Sequence, residues 1–149
     1  MSTYNLKIRP TVSSELLLDS VALGTAGQAW TAAAEAGKVV KLAAADNYVP
    51  VSDADDIEGI VRTVEPGTVN SGFCYGSIQT GGRAFAVVGA GTVAVGAFVV
   101  AGTQAALGTA NTGNKPVVKA GAGVAFKWRC VSIVTGTGAV GDTIVIERV

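Results

Sequence analysis

Short apolar runs, many of them alternating with polar residues, follow one another along most of this chain and are separated by glycine. Their two-residue period and their content of Val, Ile and Thr are typical of strands. The clearest are KVVKLA (38–43), YVPVS (48–52), GIVRTV (59–64), FCYGSI (73–78) and RAFAVV (83–88). QTGG (79–82) has the composition of a hairpin turn between the last two. The pattern predicts an all-β fold, either a small β-barrel or a sandwich-like domain.

The run from Ala84 to Asn114 contains no charged residue and is long enough to raise the question of a membrane span. Glycine interrupts it about every six residues, which is the spacing of short strands and turns. Basic clusters and aromatic belts of the kind that flank a spanning helix are missing on both sides. We therefore predict two short buried strands here and no contact with a membrane.

The first 36 residues differ from the rest. YNLKIRP (4–10) alternates like an edge strand and stops at Pro10, and 25–37 has the composition of a short helix ending at Gly37. We interpret 1–36 as an N-terminal arm that docks on a neighbouring subunit, and 37–149 as the β-rich body. The candidate interface residues are Leu16, Leu17, Leu18, Trp30 and Trp128. The alternative is that the leucines and Trp30 complete the core, and that Trp128 is a core anchor or a stacking platform.

Charged residues make up 15% of the chain, where about 25% is usual, and the formal net charge is zero. A monomer normally keeps a charged surface, so this composition favours a component of an assembly over a small, Ala-rich soluble domain. Nucleic acid is an improbable partner because the close basic pairs are few and isolated.

Histidine is absent from the sequence, which excludes His-based nucleophile activation and His metal ligands. Cys74 and Cys130 sit among apolar neighbours, and we predict two small core residues of a protein made in a reducing cytoplasm, without a signal peptide. The acidic cluster Asp53–Glu58 offers oxygen ligands of the type that Ca²⁺ binds, but its spacing departs from the known calcium loop. We interpret it as a solvated loop, and we expect no catalytic site, cofactor or metal.

A weak internal echo relates the two halves of the chain. Gly37 followed by VVKL resembles Gly96 followed by AFVV, and GIVRTVEPG (59–67) resembles RCVSIVTGTG (129–138). The echo is a hint that both halves share one strand order.

Three further segments carry a family resemblance: DIEGIVRTVEPGTV (56–69), VAVGAFVV (93–100) and TGTGAVGDTIVIERV (135–149). Their order is similar to that of the small capsid cement, or decoration, proteins of tailed bacteriophages, over most of 37–149. The resemblance implies a compact β-barrel or sandwich-like domain and self-association, often as a trimer. It also implies a place on the outer capsid surface of the virion, where each unit bridges neighbouring major capsid proteins and stabilises the assembled shell.

Two alternatives remain open. One is another virion subunit, such as a tail or fibre protein. The other is a small β-barrel ligand-binding or hydrolytic module, with a site such as Asp53–Glu58 facing Ser77.

Overall fold

The computed structural model describes residues 17–25, 27–43, 47–65, 74–121 and 127–149. Within these ranges about half of the residues lie in strands and few lie in helices, so the all-β prediction is confirmed. The strands are β1 (Leu17–Leu23), β2 (Val39–Leu42), β3 (Asn47–Pro50), β4 (Gly59–Val64), β5 (Cys74–Gly81), β6 (Arg83–Ala90), β7 (Phe98–Ala101), β8 (Val117–Ala120), β9 (Trp128–Ile133) and β10 (Thr143–Arg148). The helices are one α-turn, α1 (Ala32–Glu35), and a 3-10 helix (Thr112–Asn114).

These strands close two barrels of five strands each, rather than the single β-rich body predicted for 37–149. The order around the first barrel is β1-β3-β2-β4-β5, and the order around the second is β6-β8-β7-β9-β10. In each barrel the first and third strands are parallel, and the other four neighbouring pairs are antiparallel. The second barrel therefore repeats the first, strand for strand.

The repeat extends to single residues. β4 and β5 pair Val61 with Ile78 and then, after a bulge, Thr63 with Ser77. β9 and β10 pair Cys130 with Ile146 and then, across the same kind of bulge, Ser132 with Val145. The bulged residues are Arg62 and Val131, so the two sheets keep the same register on both sides of the bulge.

The turns that enter β2 and β7 are also equivalent. Gly37 and Gly96 both have positive φ, at 84° and 88°. Their amides donate to the carbonyl oxygens of Val61 (2.8 Å) and Cys130 (2.7 Å), which are themselves equivalent residues. The shared strand order suggested by the sequence echo is thus confirmed by backbone geometry.

The predicted hairpin at 79–82 is wrong. β5 pairs with β1 and β4, whereas β6 pairs with β10 and β8. The buried Gln79 amide donates to the carbonyls of Gly81 (2.7 Å) and Arg83 (3.0 Å), and Gly82 takes a φ of 76°. These contacts let the chain pass from one barrel into the next instead of folding back.

The boundary predicted at residue 36 is also corrected. β1 pairs with β5 over its whole length, from Leu17 against Gly81 to Leu23 against Cys74, and α1 follows it. LLDSVAL has no clear two-residue period, because the polar Asp19 shares the phase of the inward Val21 and Leu23, whereas the apolar Leu18 lies on the outer side. Residues 1–16 of the predicted arm, including Leu16, lie outside the described residues.

The two barrels share apolar contacts. The first encloses one core cluster, which includes Leu23, Val61 and Ile78. The core of the second barrel, built around Trp128, Ile144 and Ile146, also takes in Val39, Ile57 and Ile60 from the first. Because buried side chains cross the junction, the barrels are joined by packing as well as by the chain.

Candidate protein-interaction surface

The two tryptophans predicted as interface anchors are buried. Trp30 belongs to the core cluster of the first barrel and Trp128 to that of the second. Neither indole reaches the surface of this chain, so the prediction that they anchor an interface is corrected in favour of the core alternative. Leu18, with 51% of its area accessible, lies on the outer side of β1, and the side chain of Leu17 is outside the described part.

The acidic loop lies at the barrel junction, where its carboxylates, exposed at Asp53 and Asp56 as predicted for a solvated loop, pair with lysines. Lys127, from the second barrel, pairs with Glu58 and with Asp56 (3.6 Å). Asp53 pairs with Lys119, also from the second barrel. The backbone of the same loop exchanges two hydrogen bonds with Ala101 of β7, each 2.9 Å long. The loop therefore fastens one barrel to the other.

Asp55 is the loop carboxylate with the clearest electrostatic perturbation. The Lys41 ammonium lies 2.6 Å from it and donates a hydrogen bond, and the Ser52 amide donates another at 2.6 Å. The Lys41 hydrogen bond is the main cause that holds the pKa of Asp55 below its ordinary value of 3.8. A carboxylate engaged in this way is a structural partner of Lys41.

The hydrolytic alternative required the acidic loop to face Ser77. In the described part of the chain the loop carboxylates contact lysines, whereas the Ser77 hydroxyl lies 2.7 Å from that of Thr63. Those groups are not brought together. Cys74 and Cys130 are free thiols buried in the two barrels, as predicted, and burial raises the pKa of Cys130.

A small cavity of about 180 Å³ lies between the first barrel and the loop after β7. At its base the buried Glu35 and Lys38 form an ion pair of 2.7 Å. Glu35 also accepts from the Gly108 amide (2.6 Å), and Lys38 donates to the Ala106 carbonyl (2.8 Å). These charged groups hold the loop against the first barrel.

The outer face of the second barrel carries an exposed apolar surface. Phe85 of β6 is 56% exposed and stands directly opposite Val145 of β10. Val87 follows on β6, and Val134, 52% exposed, lies beside Thr143 at the end of β10. We call these four residues, Phe85, Val87, Val134 and Val145, the apolar face. A shallow pocket of about 290 Å³ is lined in part by Phe85, Ser132 and Val145.

One edge of the apolar face carries charge. Glu147, nearly buried, accepts from Arg83 at 3.2 Å and from Arg129 at 3.4 Å. One carboxylate between two guanidinium groups leaves this edge with a net positive charge. An apolar centre with an arginine rim has the composition expected of a protein-interaction site.

The equivalent surface of the first barrel is polar. The shared register makes Ser20 equivalent to Phe85 and Ser77 equivalent to Val145. Since the first barrel closes with serines at these positions, the fold itself does not require apolar residues there. Exposing Phe85 to water is unfavourable, and a docking partner would offset that cost.

The sequence contained a signal for this surface that the strand pattern alone did not separate from the core. In RAFAVV the small alanines 84 and 86 point into the barrel and the large Phe85 points out. In TIVI (143–146) apolar residues occupy both faces of one strand. Only the barrel geometry shows which residues of these runs are outside.

Comparisons with family models, with curated protein sequences and with solved structures find no match to this chain. Among the described residues, no helix has the length and apolar character needed to cross a membrane.

Proposed function

We propose that this chain is a structural protein of a virion, which binds the outer surface of a phage capsid and stabilises contacts between major capsid proteins. The observation that carries the proposal is the apolar face, at a position where the equivalent barrel has serines. A protein of this class works by binding the assembled shell, and for this it needs exposed apolar surface in a stable body.

Self-association belongs to the same proposal. Low charge and zero net charge favour association, and the resemblance to capsid cement proteins implies a homotrimer. The apolar face supplies a surface for it, because burying exposed Phe and Val side chains gains roughly 25 cal/mol per Å². Light scattering on the purified chain should give the mass of a trimer.

Capsid binding tests the proposal directly. Purified chain is mixed with capsids that lack their decoration protein, and the bound fraction is measured after sedimentation. Phe85→Ser, which gives the second barrel the residue of the first, should weaken binding or self-association at least tenfold. Leu42→Ser is the matched control, since Leu42 is 51% exposed on β2, away from the apolar face. Equal binding and equal mass for the two variants would contradict the proposal.

A further inference from the structure

Equivalent positions on the two barrels are covered in one barrel and exposed in the other. In the first barrel Ile60 of β4 pairs with Gln79 of β5, and both side chains are fully buried. Ile60 belongs to the core cluster of the second barrel, so the second barrel packs on this side of the first. In the second barrel Arg129 of β9 pairs with Glu147 of β10 in the same register. The docking position of the first barrel is therefore repeated on the second, where the Arg129 side chain is 47% exposed.

The repeated position carries charge in place of the buried isoleucine and glutamine. Arg83 and Arg129 flank Glu147 at 3.2 Å and 3.4 Å, and we call these three residues the charged edge. The charged edge borders the apolar face, because Arg83 lies two residues before Phe85 on β6. A partner that fits here presents a carboxylate to the arginines and covers Phe85 at the same time.

The two halves of the chain carry opposite charge, although the whole chain is neutral. Residues 17–81, which contain the first barrel, include eight acidic and three basic residues, a net charge of −5. Residues 82–149, which contain the second barrel, include six basic and two acidic residues, a net charge of +4. Two copies that met through the same face would bring like charges together, whereas a second barrel on a first barrel brings opposite charges together. The charge distribution therefore favours the first barrel of another copy as the partner of the charged edge.

Asp19 of the first barrel is an exposed carboxylate that can pair with these arginines. The carboxylates of the acidic loop pair with lysines of the same chain. Asp19, on β1, accepts from the Thr80 hydroxyl at 2.7 Å and pairs with no basic side chain in the described part of the chain. Leu18, which is 51% exposed, precedes Asp19 on the same strand. This part of β1 thus offers both an acidic and an apolar group to a neighbouring copy.

We infer that the charged edge and the adjoining apolar face of one copy dock on the first barrel of a neighbouring copy, where Asp19 pairs with Arg83. The inference rests on the proposed function, because it names the partner in self-association. The contact joins two different surfaces and is heterologous, so repeating it about an axis closes a ring such as a trimer. The first barrel contributes charge to this contact and needs no apolar face of its own.

Charge exchange tests the pairing in the full chain. Arg83→Glu and Asp19→Arg each bring like charges together in the inferred contact, and each should raise the dissociation constant of the oligomer about tenfold or more in sedimentation equilibrium. The double variant restores opposite charges at every contact of the ring and should return to within about threefold of the parent value. Lys119→Glu, which changes the net charge as much as Arg83→Glu does but at the barrel junction, is the control and should keep the parent value. A double variant that associates no better than the weaker single variant would overturn the inference.

Comparison with Phe85→Ser separates this inference from the proposed function. If Phe85→Ser dissociates the oligomer while Arg83→Glu and Asp19→Arg keep the parent mass, the apolar face has another partner and the inference is wrong. If Arg83→Glu loses capsid binding but keeps its mass, the charged edge meets the capsid, and the inference is again wrong. If Phe85→Ser changes neither mass nor capsid binding, the proposed function itself fails. Circular dichroism of each variant checks that the barrels remain folded.

Discussion

On the outer side of the first barrel, Ser20 and Ser77 stand on neighbouring strands, and Ser77 lies beside Thr63. On the outer side of the second barrel the equivalents of the two serines are Phe85 and Val145. On the inner sides Ile78 and Ile146 are equivalent, and both are fully buried. The two barrels therefore share this buried packing position, while the outward residues compared above are polar in one barrel and apolar in the other.

The connections differ in the same way. In the first barrel residues 43–46 join β2 to β3, whereas in the second the longer segment 102–116 joins β7 to β8. That longer segment packs on the first barrel through Glu35 and Lys38. We call this connection, residues 102–116, the clasp, because it joins the second barrel to the first.

The clasp gives the largest expected effect on stability. Glu35→Ala leaves the buried Lys38 ammonium without its carboxylate, and removing one partner of a buried ion pair costs about 3 to 5 kcal/mol. Urea unfolding measures the loss. Asp53→Ala, which breaks an exposed pair with Lys119, is the control and should cost less than about 1 kcal/mol. Equal losses of unfolding free energy would show that the buried pair of the clasp adds no more stability than an exposed pair.

The equivalent core residues should respond alike. Ile78→Ala and Ile146→Ala each remove buried methyl groups and should cost about 2 to 5 kcal/mol. Because Val39, Ile57 and Ile60 join the second core, either change should shift one common unfolding transition, observed by fluorescence and by circular dichroism. Two separate transitions would mean that the barrels unfold independently.

The equivalent glycines should respond differently. Both Gly37 and Gly96 have positive φ, so alanine at either costs about 1 to 2 kcal/mol in backbone strain. A Cβ at Gly37 would also collide with the Asn114 backbone of the clasp, whereas at Gly96 it meets open space. Gly37→Ala should therefore destabilise the protein by at least about 1 kcal/mol more than Gly96→Ala in thermal unfolding. The reverse order would contradict the packing of the clasp.

The smallest expected effect is on the free energy of unfolding at low pH. Lys41 holds the pKa of Asp55 below 3.8, so the contribution of this pair is present above that pH and is lost as the pH falls through the lower folded pKa. The residue equivalent to Lys41 in the second barrel is Val100, which has no such pair to lose. Asp55→Asn should cost about 0.5 to 1 kcal/mol at pH 7, and the cost should shrink as the pH is lowered below 3.8, in urea titrations at pH 7 and at pH 2. A loss that is the same at both pH values would argue against the ion pair.

Much of the fold could be predicted from the sequence, because strands show a two-residue alternation of apolar and polar residues. The predicted bounds of β4 match those observed, and the echo between Gly37 and Gly96 gave a hint of the shared order, which the strand pairing confirms. The division into two barrels could not be predicted, since it depends on long-range pairing. Gln79 and Gly82 carry the chain onward where their sequence resembles a hairpin turn.

The candidate site was harder to predict. Residue type alone makes Trp30 and Trp128 reasonable candidates for an interface, since aromatic side chains are frequent both in cores and in interfaces. Only closure of the barrels turned both indoles inward and Phe85 outward. The ion pairs that join Asp53–Glu58 to Lys119 and Lys127 could not be predicted either, because these lysines lie more than sixty residues away in sequence.

The central claim is that the second barrel has a docking face and the first has not. It is tested by giving the second barrel the residues of the first, as Phe85→Ser with Val145→Ser, and measuring the mass by sedimentation at tens of micromolar beside the parent chain. The account predicts an oligomer for the parent and a folded monomer for the double variant. A double variant that is folded and keeps the full mass of the parent would contradict it.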